Sequence, residues 1–146
     1  MKKLILFPVI YGVIFTITFN SCSKSPRCWG SDKNKGIIKE SVVINCFPAT
    51  DKHEIVINDE AALKAIFDST CVLPSIDFSS STLLGLYASG GCEVKFIRQV
   101  ERKDGGKIHY SIKVKECGFC KVLGFSYNWV TVPKIENAED VSFEVK

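Results

Sequence analysis

The side chains best suited to chemistry in this chain are its seven cysteines: Cys22, Cys28, Cys46, Cys71, Cys92, Cys117 and Cys120. Cys22 is set apart by what precedes it. Lys2-Lys3 give a short positive start, residues 4–19 form an apolar run (LILFPVIYGVIFTITF), and Phe19-Asn20-Ser21-Cys22 follows at once. The run falls short of the roughly 20 apolar residues a spanning helix needs and has about the length of a secretory h-region. A small residue placed directly before a cysteine there has the form of a bacterial lipoprotein signal, although Phe19 and Asn20 stand where Leu and Ala or Ser are commoner. In that chemistry a lipid is attached to the cysteine thiol, cleavage frees its amine, and a further acyl chain is added. The expectation is cleavage between Ser21 and Cys22 and anchoring to the membrane through acyl chains on Cys22. An uncleaved anchor and a freely secreted product are the alternatives. One acyl chain binds a bilayer only marginally, whereas two or three hold firmly.

Acylating Cys22 leaves six cysteines, an even number, in a compartment where disulfides persist. Cys28, Cys46, Cys71, Cys92, Cys117 and Cys120 are the disulfide candidates, and six cysteines allow 15 connectivities. Cys117-Gly118-Phe119-Cys120 is a CxxC motif. Redox enzymes place this motif at a helix N-terminus, where the dipole lowers the first thiol's pKa, but here it lies between strand-like segments. A zinc site would want a second close pair, and Cys28 and Cys46 are too far apart to supply it. A c-type haem site would need His where Lys121 stands. Structural cysteines are therefore expected, and a thiol-disulfide oxidoreductase using Cys117 and Cys120 is the alternative from another class.

Other polar groups form no convincing constellation. His53 and His109 fall on strand faces and read as surface residues. Asp77 and the group Glu136, Glu139 and Asp140 sit beside turns, where acids are usually solvated or capping. Ser89-Gly90-Gly91 lacks phosphate-loop spacing and reads as a turn. No catalytic set, cofactor or metal site is expected. Phe125, Tyr127 and Trp129 share one parity of a strand; core packing is the first reading of them, a candidate binding stripe the second.

These residues need elements to hold them. Removing a 21-residue leader from 146 leaves 125, one domain's worth. Without Lys2 and Lys3 the net charge falls from +3 to +1, which gives no nucleic-acid footprint. The chain reads as a signal peptide (1–21), a lipidated tether (22–36) rich in Ser, Lys, Gly and Pro, and a β-rich domain (37–146). Short strands are expected at Ile37-Ile38, Val42-Val43-Ile44 and residues 53–57. One helix follows, capped by Asn58 or Asp59, with Leu63, Ile66 and Phe67 on its apolar face. Residues 83–88 form a buried-type run. Val94, Phe96, Arg98 and Val100, then Ile108, Tyr110, Ile112 and Val114, alternate around Asp104-Gly105-Gly106, the strongest hairpin signal present. Opposed residue numbers should sum to about 210, or about 208 if the loop centres one residue earlier. Either register sets Cys92 beside Cys117, its expected disulfide partner, with Cys120 as second choice. Residues 122–132 (VLGFSYNWVTV), stopped by Pro133, and Val141, Phe143 and Val145 complete a mainly β fold: an antiparallel sandwich or open barrel with one short α-helix.

Ile76-Asp77-Phe78-Ser79, Leu83-Leu84-Gly85, Gly91-Cys92, the hairpin, Gly118-Phe119-Cys120 and Trp129-Val130-Thr131-Val132-Pro133-Lys134-Ile135 form an ordered series. It resembles a family of Gram-negative envelope lipoproteins of uncharacterised role and, more distantly, the C-terminal domain of protease-complex accessory lipoproteins. The resemblance spans about residues 55–145 and implies an accessory or binding role without catalytic residues. The expected function is thus a membrane-anchored binding or accessory module whose partner is an envelope protein or glycan, not a nucleic acid. An inhibitor or stabiliser of an envelope protease is a further alternative. Ser23-Lys24 carries no acidic retention mark, so the outer membrane is preferred to the inner.

Overall fold

The period-2 segments around Asp104 do form a hairpin. The computed structural model describes residues 32–91, 94–116 and 123–146. In it β5 (Val94–Arg102) pairs antiparallel with β6 (Ile108–Glu116), Phe96 opposite Val114 and Val100 opposite Tyr110, so opposed numbers sum to 210. The three-residue loop Asp104–Gly106 places Gly105 and Gly106 at φ 75° and 81°, a left-handed region that a Cβ disfavours. Glycine at both positions is why this turn closes in this register.

Two edge strands flank the hairpin. β1 (Lys33–Gly36) lies parallel to β5, and β8 (Val141–Val145) lies parallel to β6, giving sheet I the order β1-β5-β6-β8. Sheet II has the order β2-β7-β4-β3, all antiparallel, from β2 (Glu40–Val42), β3 (Glu54–Ile57), β4 (Ser81–Gly90) and β7 (Gly124–Pro133). The molecule is a mainly β sandwich with one helix. Its two parallel pairs arise because β1 and β8 each connect to a strand of the other sheet, so neither meets its neighbour through a tight hairpin.

β1 lies inside the stretch expected to be tether, directly before Ile37. Its sequence, KNKG, has no apolar residue, and all four residues are exposed. An edge strand is held by its backbone ladder, and lysines there discourage further pairing, so hydrophobic pattern cannot find it. Ile37 and Ile38, expected in a strand, instead sit at the corner between β1 and β2 and pack against the core. Ser89 and Gly90, read as a turn, are the last residues of β4, opposite Phe125 and Gly124.

The core between the sheets contains Leu84, Leu86, Val130 and Val132 from sheet II and Phe96, Val100, Ile108, Tyr110 and Ile112 from sheet I. The Arg98 side chain reaches from β5 toward it. Arg98 donates from Nε to Asn128 Oδ1 at 3.0 Å and pairs with Asp32 at 2.8 Å, while the Tyr110 hydroxyl donates to the Asn128 carbonyl at 3.0 Å. Burial pushes the Tyr110 hydroxyl pKa well up, which keeps it a donor.

A second cluster lies on the outer face of sheet II. The helix α1 (Glu60–Ile66) is capped by Asp59, whose Oδ1 accepts from the Ala62 amide at 2.7 Å, and it lays Leu63 over Ile55 and Ile57. Because a layer covers each face, Ser81 to Leu86 of β4 are all buried, the continuous rather than alternating run seen in the sequence. Among the described residues no helix is long and apolar enough to cross a membrane.

Candidate functional site

The outer face of sheet II changes character along its length. Rows across β3, β4 and β7 follow the register: Ile57, Leu83 and Thr131, then Ile55, Gly85 and Trp129, then Tyr87 opposite Tyr127, and last Ser89 opposite Phe125. α1 and Phe67 cover the first two rows. The last two lie beyond that cover. Tyr87 and Tyr127 are half-buried, and Phe125 is 53% exposed.

Their rings form one continuous array. Phe67 packs on Trp129 at 5.7 Å between centroids, and Tyr127 stacks on Trp129 at 5.5 Å and 19°. Tyr87 meets Tyr127 edge-on at 5.2 Å and stacks between His53 at 4.6 Å and Phe125 at 5.9 Å. Phe47, 67% exposed, sets its edge against Tyr127 at 6.3 Å. Each such pair contributes about 0.5–1.5 kcal/mol beyond area burial, so the exposed rings are held by the buried ones.

Three local features fix this geometry. Gly85 lets the Trp129 indole lie flat on β4, since a Cβ there would fall 2.2 Å from Trp129 Cζ3. The Tyr127 hydroxyl donates to the Lys52 carbonyl at 2.9 Å, and burial, with smaller repulsion from Tyr87 and Asp51, raises its pKa. The Cys46–Cys71 disulfide ties the segment just before Phe47 to the chain leaving α1, and both cysteines pack against the cluster around Trp129. The Trp129 Nε1–H is buried and has no acceptor among the described residues. That costs about 1–3 kcal/mol, so the indole serves here for its ring area.

The stripe of Phe125, Tyr127 and Trp129 therefore divides: Trp129 is core, and the other two emerge from it. Phe47 and Tyr87 were not singled out in the sequence, and His53, read there as a surface residue, is exposed and stacks on Tyr87. Tyr87 lies in a run, residues 83–88, that reads as wholly buried, and only the β4–β7 register reveals it beside Tyr127. Of the disulfide candidates, Cys46 and Cys71 are bonded to each other. Cys22, Cys28, Cys92, Cys117 and Cys120 lie outside the described residues, and with them the expected Cys92–Cys117 bond, the CxxC motif and the cleavage site at Ser21.

The remaining polar candidates are engaged locally. Asp77 accepts from the Ser79 amide at 3.0 Å and from the Ser79 and Ser80 hydroxyls, which hold its pKa down to about 2. A carboxyl so held is a turn-former and a poor proton donor near neutrality. His109 sits on the outer face of sheet I, with Nδ1 3.0 Å from Ser142 Oγ and Nε2 3.2 Å from Glu144 Oε2. Glu136 and Glu139 are exposed, and Asp140 closes a short 3₁₀ turn. Among the described residues no group of three His, Cys, Asp or Glu is placed to hold a metal ion.

The exposed end of the aromatic array is bordered by the charged residues Asp51, Lys52 and Glu54. Among the described residues, one hollow of about 400 Å3 adjoins the covered end of the array beside Phe67, Cys71 and Leu73, and another of about 270 Å3 lies around His109, Ser111 and Ser142. Flat aromatic surfaces suit ring faces and apolar side chains of a large partner better than a small enclosed ligand. Comparison of the chain with protein-family models, curated proteins and solved structures finds no match.

Proposed function

We propose that this chain is a lipid-anchored binding module of the cell envelope, held by acyl chains on Cys22 and engaging a protein or glycan through the platform of Phe47, Tyr87, Phe125 and Tyr127. The observation that carries the reading is two phenylalanines, 67% and 53% exposed, buttressed by a ring array that runs into the core. An isolated exposed apolar residue is ordinary; a pre-organised cluster of rings is the composition of binding hot spots. The leader supports the anchor, and the Cys46–Cys71 disulfide fits an oxidising compartment.

The test has two arms. Metabolic labelling with palmitate should mark the wild-type protein and leave Cys22→Ser unlabelled. Cross-linking in intact cells followed by mass spectrometry should recover a partner that the Phe47→Ala/Phe125→Ala variant loses by about 30-fold, the scale of a truncated aromatic hot spot. Both side chains are exposed, so the variant should melt like the parent. Equal recovery by parent and variant would refute the platform; unlabelled wild type would refute the anchor.

A further inference from the structure

The opposite side of the sandwich differs in kind. Register places Lys33 and Lys35 of β1, Lys95 of β5, Lys113 and Lys115 of β6, and Lys146 just after β8 on the outward parity of sheet I. Among the described residues the acids of that parity are Glu101 and Glu144, and Lys95 is buried, so the exposed basic groups of the face are the other five lysines. Both acids are already held, Glu101 by Lys103 and Glu144 by Lys146 and His109, which keep their pKa values low and their charges locally matched.

Set against the whole, this is segregation of charge. The described residues carry 14 Lys and Arg and 15 Asp and Glu, so removing the five exposed lysines and two glutamates of this face leaves nine basic and thirteen acidic. Asp51, Glu54, Asp59, Glu60, Asp68 and Asp77 lie on α1 and the segments around sheet II. The exposed charge of this face is therefore basic, while the segments around sheet II carry more acids than bases. Lys33, Lys35, Lys113, Lys115 and Lys146 are all exposed, and the first three make no ion pair among the described residues.

From this the geometry points to the outer face of sheet I as a docking surface for an anionic lipid leaflet, so that sheet II and its aromatic platform face away from the bilayer. Charge complementarity carries the choice of occupant, and chain length agrees with it. β1 is an edge strand of this sheet, and nine residues separate Cys22 from Asp32, a reach of at most about 35 Å. An anchor on Cys22 therefore keeps this edge within one domain's width of the headgroups. The orientation rests on the anchored reading above; the affinity of the face for anionic lipid does not.

Full-length protein from detergent extracts is reconstituted into vesicles of phosphatidylcholine alone or with one third phosphatidylglycerol, and its lysines are acetylated and mapped by mass spectrometry. Lys33, Lys35 and Lys113 should be modified at least fivefold less on anionic than on neutral vesicles, with Lys52 and Lys64 unchanged. The protection should vanish in 0.5 M salt, where the screening length falls to about 4 Å. Each lysine near an anionic leaflet strengthens attachment about fivefold, so Lys33→Glu/Lys35→Glu/Lys113→Glu should abolish the difference between vesicle types. That difference is read at Lys146, which the variant keeps and which should be protected on anionic vesicles in the wild type. Equal acetylation of Lys113 on both vesicles would overturn the proposal. So would equal protection on neutral vesicles given polygalacturonate, which would assign the face to a soluble polyanion. Failure to float with neutral vesicles would count against the acyl anchor alone, since flotation with anionic vesicles still reads the face.

Discussion

Asp77 shows how much a single exposed side chain can set. Three hydrogen bonds from Ser79 and Ser80 stabilise its carboxylate and lower its pKa from 3.8 to about 2. A folded-state pKa below the unfolded one stabilises the fold above the unfolded value and loses that contribution as pH falls through the folded value. Thermal melts of Asp77→Asn and wild type should therefore diverge most at neutral pH and converge between pH 4 and pH 2. Parallel melting curves across that range would show that the turn does not depend on the charge. The Asx-turn was readable from Asp77-Phe78-Ser79-Ser80, because its partners are sequence neighbours. Tyr87 was not readable, because what exposes it is the end of α1's cover, set by residues more than twenty positions away.

At the scale of elements the same division holds. The β5–β6 hairpin, α1 with its Asp59 cap, and β8 each carry their own pattern, and each forms where period and turn chemistry place it. β1 has no pattern, and its parallel pairing with β5 follows from the chain crossing between sheets. The Cys46–Cys71 bond was one of 15 connectivities and is decided only when β2, α1 and β7 bring the two segments together. It closes a loop 25 residues apart in sequence, which on loop entropy alone stabilises by about 3.5 kcal/mol. Cys46→Ser/Cys71→Ser should lower the urea unfolding midpoint by a matching amount. It should also weaken partner capture in the surviving folded fraction, since Phe47 is released with Cys46. Unchanged capture at full foldedness would show that Phe47 is positioned by Tyr127 alone.

For the whole molecule, a sandwich separates its two outer faces by the thickness of both sheets and the core between them. Side chains that far apart, sharing no partner, should behave additively. The aromatic platform and the lysine face therefore form two separate surfaces of the sandwich, and the two proposals assign partner binding to one and lipid orientation to the other. Phe47→Ala/Phe125→Ala should lower partner recovery by the same factor of about 30 and leave lysine protection on anionic vesicles intact. Lys33→Glu/Lys35→Glu/Lys113→Glu should do the reverse for purified components in solution. On vesicles bearing the partner, the lysine variant should lose capture modestly, because a domain tumbling on its tether presents the platform for only part of the time. A lysine variant that binds the partner in solution more weakly than wild type would show that the two faces communicate, and that the sandwich is not the passive spacer its packed core makes it.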